Sequence, residues 1–547
     1  MSENESSPRT AVSVSAFAPL RHKVFLSLWI ASIVSSIGTQ MQQVGASWLM
    51  TSLDPSPEMI ALVTASATMP ILLFALAAGA MADIIGRRKV LIAANILMFA
   101  ASCLLAIAAY AGKVTPNLLL LLTFLVGTGT AIMAPSWQSL VNDLLPREQV
   151  PRGVALNVMA FNIARTVGPA IAGVVVALLG SKANFALNAI SYLGMFAVLA
   201  RWKPEQPKGK IAAVSVLTAM HDGVLYAFHT TPVRRVLVRA SFFTFCSSIV
   251  IALVALVVKK LLGEGPEIFG LLLGFMGIGA IMMALQIGQL RDRFSVETLV
   301  RASIVMGAAG LAVMGLSRSL PLTCGAIFLI GASQVLGLSN FNVAVQVSVP
   351  HWVTARAIAL YQTAIFGGFT LGAWCWGLIA EQTGVGPTYV ISAIAMLAMI
   401  GLGFCMPIRE IDADLTEPAP ITSAWVMPEG PDKAAVVVLI DYFVPLERQQ
   451  QFRELMSERQ RLRLRDGSRQ VRLLQDAEAP EHFIEMFKVR SREDYMLQRE
   501  RRTVEAERLY ALMKQCHAGD EPPRVRYYFE NVARPGGADA FAQYPLG

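Results

Sequence analysis

Charge is scarce along most of this chain. Only 15% of its 547 residues are Asp, Glu, Lys or Arg, against 54% hydrophobic, which excludes an ordinary soluble protein and puts a membrane protein first. Cysteine offers no other organising principle. The six (Cys103, Cys246, Cys324, Cys375, Cys405 and Cys516) show no C-x-x-C spacing and five fall inside apolar tracts, so neither a disulfide framework nor a metal site is expected. The six His are scattered, and no cofactor or catalytic residue is expected. Residues 1–20 are polar and lack a cleavable apolar region, so the first apolar tract is read as a retained helix rather than a signal peptide.

What the chain has instead is long apolar runs. Spanning about 30 Å of hydrocarbon takes about 20 apolar residues, and twelve such runs succeed one another: 24–53, 59–82, 90–112, 114–141, 153–181, 183–200, 236–258, 268–290, 298–317, 319–349, 354–380 and 383–406. One run could be a buried core helix, but twelve separated by short polar turns predict transmembrane helices. The N-terminus and the loops after even-numbered runs hold 18 Lys and Arg, the odd loops five. Positive loops stay on the cytoplasmic side, so both termini are expected there.

The sequence is also duplicated. RGVALNVMAFNIARTVGPAIAG from Arg152 aligns at an offset of 204 with RAIALYQTAIFGGFTLGAWCWG from Arg356. GAMADI at Gly79 matches GQLRDR at Gly288, setting Asp83 against Asp292 at the end of the second helix of each half. Two six-helix halves in parallel duplication predict a substrate cavity between them near the midplane.

On these residues the chain resembles the major facilitator superfamily. GAMADIIGRRKVL is similar to that superfamily's signature between helices 2 and 3, with Gly79, Asp83, Gly86, Arg87 and Arg88 in place. Ile84 departs from it, whereas the second copy keeps a basic residue there as Arg293. The run ARTVGPAIAG (164–173), with Gly168 and Pro169, is similar in part to the glycine-proline motif of the superfamily's exporters. The resemblance implies alternating access and a coupling proton. In this reading Asp83 faces the start of helix 11, near Thr354–Arg356, Asp292 faces the start of helix 5, around Pro151–Gly153, and the two pairs latch the cytoplasmic side.

Beyond the bundle the composition changes. Of the residues from 407 onward 45 are charged, against 39 in the preceding 406. With 21 basic and 24 acidic residues the tail is net negative. The excess of positive charge therefore belongs to the membrane part, where it sets topology, and no nucleic-acid partner is expected. The expected domains are a cytoplasmic N-terminal tail (1–23), a six-helix bundle (24–200), a linker (201–235), a second six-helix bundle (236–406), a connector (407–433) and a soluble α+β domain (434–547). In the linker, Leu217, Met220, Val224 and Phe228 recur at helical spacing and predict a surface amphipathic helix. The tail reads as strand 435–444, a helix through RQQQFRELMSERQRLRLR, strands RQVRLLQD and EHFIEMFKV, a helix capped at Ser491, and strand 524–530. That β-α-β-β-α-β order is the ferredoxin-like unit.

The tail resembles the soluble appendage of the superfamily branch called transmembrane secretion effectors, relatives of enterobactin exporters and macrolide efflux pumps. It is similar to the dimeric α/β barrel of small antibiotic-biosynthesis monooxygenases, which implies a homodimer through the tail. The fold expected is an all-α polytopic membrane protein of 12 transmembrane helices in two halves, plus a C-terminal α+β ferredoxin-like domain.

Polar groups inside apolar runs are the candidate site, because burying them in hydrocarbon is costly. Arg165 sits deep in helix 5, with Asn162 one turn away, and can anchor an anionic or polar group or be held structurally. Ser36, Gln40 and Gln43 share a face of helix 1. Gln334, Asn340 and Gln346 lie in helix 10, and Tyr361 and Gln362 in helix 11. Each can equally bind helices together. No Asp or Glu lies mid-helix, so the residues do not reveal the coupling ion. The expectation is a secondary-active exporter of a siderophore-like or drug-like small molecule, an antiporter in a bacterial inner membrane. The alternative is a transporter fused to a catalytic or ligand-sensing monooxygenase-like domain.

Overall fold

The computed structural model of the chain describes residues 18–146, 149–202, 230–349, 351–408, 434–500, 504–519 and 521–530. The predicted linker helix at 217–228 lies outside them. The chain divides into two compact units, a helical one and one built around a sheet.

The first half of the helical unit comprises α1 (Lys23–Leu53), α2 (Pro57–Ile85), α3 (Arg87–Tyr110), α4 (Pro116–Leu144), α5 (Val150–Leu179) and α6 (Ser181–Arg201). The second comprises α7 (Thr231–Leu256, extended by a π turn at Val257–Leu262), α8 (Pro266–Arg293), α9 (Val296–Leu316), α10 (Leu320–Val347), α11 (His351–Thr383) and α12 (Val385–Cys405). Among the described residues eleven helices are long and apolar enough to cross a membrane, and α5 contributes a shorter apolar stretch, Ile163–Leu179.

Local chemistry sets the helix ends. Thr115 accepts a hydrogen bond from Leu118 N–H at 3.3 Å and Pro116 occupies the first turn, where its missing N–H costs nothing. Ser295 caps α9 in the same way through Thr298 N–H. Gly86, with φ 97°, breaks α2 from α3 in a conformation that a side chain would strain. Gly180 and Gly384 break α5 from α6 and α11 from α12 at the same offset of 204 seen in the sequence. The duplication is thus carried into the turns.

Helices in lipid gain little from apolar contact with one another, so close packing at small residues takes over. Within the second half Gly279 lies on the Phe328 carbonyl and Gly331 on that of Met276, locking α8 to α10.

The sheet unit contains β1 (Val436–Phe443), α13 (Gln449–Arg465), β2 (Arg469–Gln475), β3 (His482–Val489), α14 (Arg492–Glu500), α15 (Val504–Cys516) and β4 (Arg524–Phe529). The sheet is antiparallel in the order β2-β3-β1-β4. Ser491 Oγ accepts from Asp494 N–H at 3.1 Å, the predicted cap. Helix follows the cap on both sides of residues 501–503, which lie outside the described residues. The core packs Val436, Val438, Ile440 and Tyr442 of β1 and Phe483 and Phe487 of β3 against Phe452, Met456 and Met513 of the helices.

Glu485 points into this core and is fully buried. Arg459 Nε donates to both its oxygens at 3.1 Å, and Arg463 Nε to one, also at 3.1 Å. Burial alone would push this carboxyl up, but the two guanidiniums outweigh it and hold the pKa below the ordinary value.

Candidate functional site

Near the middle of α5, about 22 Å from either end at 1.5 Å per residue, lies Arg165. Its Nη2 donates to Oε1 of Gln334, mid-way along α10 in the opposite half, at 3.1 Å. One turn further along α10 the Leu338 carbonyl accepts a 2.6 Å hydrogen bond from the Tyr361 hydroxyl. Tyr361 is buried and within electrostatic reach of the guanidinium. Three helices therefore converge on Arg165.

α1 closes on this group from the other side. A Cβ at Gly168 would press on the Cβ of Gln40, so α5 can approach α1 only because residue 168 has no side chain. Pro169 beside it is buried, and Ser36 and Gln43 are partly buried on α1.

On one side of this level the halves are sealed, at the end of the bundle where the Asp54–Ser56 turn lies. Gly173 of α5 lies against Gly270 of α8, and Gly377 of α11 against Ala61 of α2. Thr68 and Thr370 share a 2.7 Å hydrogen bond, and Trp48 stacks on Phe269 with centroids 5.4 Å apart. Lys259 Nζ donates to the Thr51 carbonyl at 2.6 Å. Towards the other end of α8, Ile281, Met282 and Leu285 are exposed, and among the described residues nothing lies within 4 Å of a Cβ placed at Gly288.

The family called transmembrane secretion effector matches residues 14–536. The chain belongs to that family. The chain is 24% identical over 396 residues to the uncharacterized MFS-type transporter YfiS of Bacillus subtilis, covering 70% of this chain and 92% of the relative. It is 22% identical to the multidrug efflux pump Tap of Mycolicibacterium fortuitum, over 71% of this chain and 97% of the relative. To the staphyloferrin A transporter of Staphylococcus aureus it is 22% identical, over 68% and 92%. Among solved structures, the nucleoside transporter NupG superposes with a TM-score of 0.56 at 14% identity, covering 71% of this chain and all of that one. The inward-open xylose transporter XylE from E. coli gives 0.54 at 14% identity, over 70% and 96%. These likenesses establish the fold of a major facilitator transporter.

Not all the residues singled out in the sequence meet. Asn340 is buried but committed elsewhere, accepting from Arg291 Nε of α8 at 3.0 Å. Gln346 is exposed, and Gln362 is partly buried. The side chains of Asn162 and Asp83, and residue Gly79, lie outside the described set. Asp292 and Arg293 are exposed, and among the described residues neither forms an ion pair. Of the GRRK turn, Arg88 has a distinct task. It donates to the Leu199 carbonyl at 3.1 Å and to that of Ala200 at 2.9 Å, placing a cation at the negative end of α6. Arg87 is partly buried.

The chain also holds polar clusters that were not anticipated in the sequence. Gln42, not Gln40 or Gln43, is the most deeply buried of the α1 glutamines. Its Oε1 accepts from Ser102 of α3 at 2.6 Å and from Asn188 of α6, while Thr39 bonds Tyr192 at 2.9 Å. In the second half Arg239 of α7 is completely buried against Glu297 of α9, which also accepts from Arg301 Nε at 2.8 Å. The same pair holds the end of α12. Arg239 donates to the Met406 carbonyl at 3.2 Å, and Glu297 accepts from Ile408 N–H at 3.0 Å. The spacing of Asn184, Asn188 and Ser191 on one face of α6 was a readable signal for the first cluster.

Proposed function

We propose that this protein is a secondary-active exporter of a small organic molecule, siderophore-like or drug-like, working by alternating access with a proton as coupling ion. The carrying observation is the Arg165–Gln334 contact at mid-depth, beneath a seal that, among the described residues, joins the two halves at the end where the Asp54–Ser56 turn lies. The open end is the GRRK end, cytoplasmic by the positive-inside rule in a bacterial inner membrane, with both termini on that side and twelve spans in two rocking halves. In this reading the state is inward-facing. Its cytoplasmic latch is open, in keeping with an Asp292 that is exposed and, among the described residues, forms no ion pair. Closing it would bring Asp292 to the start of α5 and Asp83 to the start of α11. Ser36, Gln40, Gln43, Asn162 and Gln362 line the cavity around Arg165, Gln334 and Tyr361.

The names of the relatives, an efflux pump and a siderophore transporter among them, support export of this kind. For the tail we propose a ferredoxin-like domain that dimerises. Its element order and antiparallel sheet order support that reading. The face of the sheet opposite Phe483 and Phe487 carries Leu439, Ile484, Met486, Leu474 and Tyr528 together with His482 and the Asp441–Arg526 ion pair, a mixed face that we assign to a second copy. The experiment is a comparison of the extracellular metabolites of cells with and without the protein. The reading predicts a compound that is lost from the medium and retained in the cells when the protein is absent.

A further inference from the structure

A guanidinium held at mid-membrane needs either a counter-charge or water, because an isolated charge there is strongly disfavoured. Among the described residues Arg165 meets no carboxylate. Its one hydrogen bond there is to a neutral amide, and it forms no ion pair. The described acidic residues of the bundle, such as Glu58, Glu267, Asp292, Glu297 and Glu381, all sit near helix ends. Asp83 and Asp143 belong to the last turns of α2 and α4. Among the described residues no acidic side chain of α1–α12 therefore stands at the level of this positive charge.

Gln334 sharpens the requirement. Arginine can only donate, so Gln334 must offer its carbonyl oxygen to Arg165, and its NH2 group is turned away from it. That Nε2 is buried and, among the described residues, has no hydrogen-bond partner, in a residue only 5% exposed. Tyr361 has already committed its proton to the Leu338 carbonyl. Among the described residues this leaves the remaining guanidinium donors of Arg165, which is partly exposed, and the buried Nε2 of Gln334 without an acceptor. A group that presents two acceptor oxygens and a negative charge suits donors of both kinds.

We propose that Arg165 and Gln334 together form a carboxylate-binding pair, so that the transported molecule carries a carboxylate which supplies the missing counter-charge at mid-membrane. The proposal rests on the exporter reading only for the transport step after binding, and the site itself is testable without it.

The test uses the full-length protein in nanodiscs, with thermal unfolding and calorimetry read against benzoate, citrate, the neutral benzamide and the cation tetraphenylphosphonium. At least one carboxylate is expected to stabilise the wild type in a saturable manner, with benzamide and the cation inert. Arg165→Gln should weaken that carboxylate by about tenfold to a hundredfold, the range for losing a hydrogen bond to a charged group. Arg165→Lys should recover part of it. Gln334→Met should also weaken the carboxylate, and it decides the matter should Arg165→Gln not yield folded protein. Inert carboxylates, a stronger response to the cation, or unchanged affinity in the variants would overturn the proposal. Proteoliposomes separate the two ideas. A carboxylate that binds but is never moved counts against export and leaves the site standing, whereas transport of the cation without carboxylate binding does the reverse.

Discussion

Arg165 of α5 and Gln334 of α10 meet across the two halves at 3.1 Å, each near the middle of its helix. In the proposed alternating-access cycle, rocking of the halves would change the distance between these helices, so the pair would be remade in every cycle. The two residues should therefore act as a unit. Arg165→Ala and Gln334→Ala are each expected to lower transport strongly, and the double variant to be little worse than Arg165→Ala alone. A double-mutant cycle on transport rate checks this, with a coupling of about 0.5–3 kcal/mol for residues in contact.

Gly173 and Gly270 bring the α5 and α8 backbones into contact at the sealed end. A Cβ at either position collides with backbone rather than with a flexible side chain. Gly173→Leu is expected to wedge the seal open and shift the population towards the outward-facing state. Labelling of cysteines introduced near Ala170 and Gly274 by an impermeant reagent should rise in the variant.

Glu297 neutralises an Arg239 that has no solvent exposure, and it holds the chain leaving α12. Glu297→Ala leaves that guanidinium buried and unpaired, at a cost of about 3–5 kcal/mol. A lowered unfolding temperature of the purified protein, and loss of yield in the membrane, are the expected readouts. Removing both charges, as Arg239→Met with Glu297→Leu, should restore much of the loss.

Glu485 in the sheet domain has its pKa held below the ordinary glutamate range by Arg459 and Arg463, against the upward push of burial. Its contribution to stability is present above the unfolded value, about 4.3, and is lost as pH falls through the folded one. Hydrogen exchange of the β1 and β3 amides should stay slow from neutral pH down to about pH 5 and accelerate below about pH 4, after correction for intrinsic rates. Glu485→Gln should show fast exchange already at about pH 7.

Much of this architecture was legible in the sequence, and for identifiable reasons. Apolar length alone marks the helices, the 204-residue offset marks the halves, and the cap at Ser491 was visible in S-x-x-D. Facing was harder to read. Adjacent residues on a helix differ by about 100°, so Gln40, Gln42 and Gln43 point differently, and only packing shows that Gln42 is the one bound to α3 and α6. In HFIEMFKV the alternation marks a strand, yet the charged Glu485 is inside and Ile484 and Met486 are on the other face. The reason is the arginine pair on α13, which no local pattern announces. Arg239 and Glu297 are likewise partners only because α7 and α9 pack together. Arg165 was legible because a lone charge in a long apolar run stands out, and its partner Gln334, 169 residues away, became clear only in the fold.

Above all, the protein is proposed to move an organic molecule outward at the expense of a proton gradient. The most direct test is uptake of the metabolite missing from the medium of cells lacking the protein, measured in inside-out membrane vesicles with an imposed pH gradient. Accumulation inside the vesicles is predicted, collapsing with an uncoupler and lost in Arg165→Gln. No accumulation above vesicles lacking the protein, with the wild type folded and present, would contradict it.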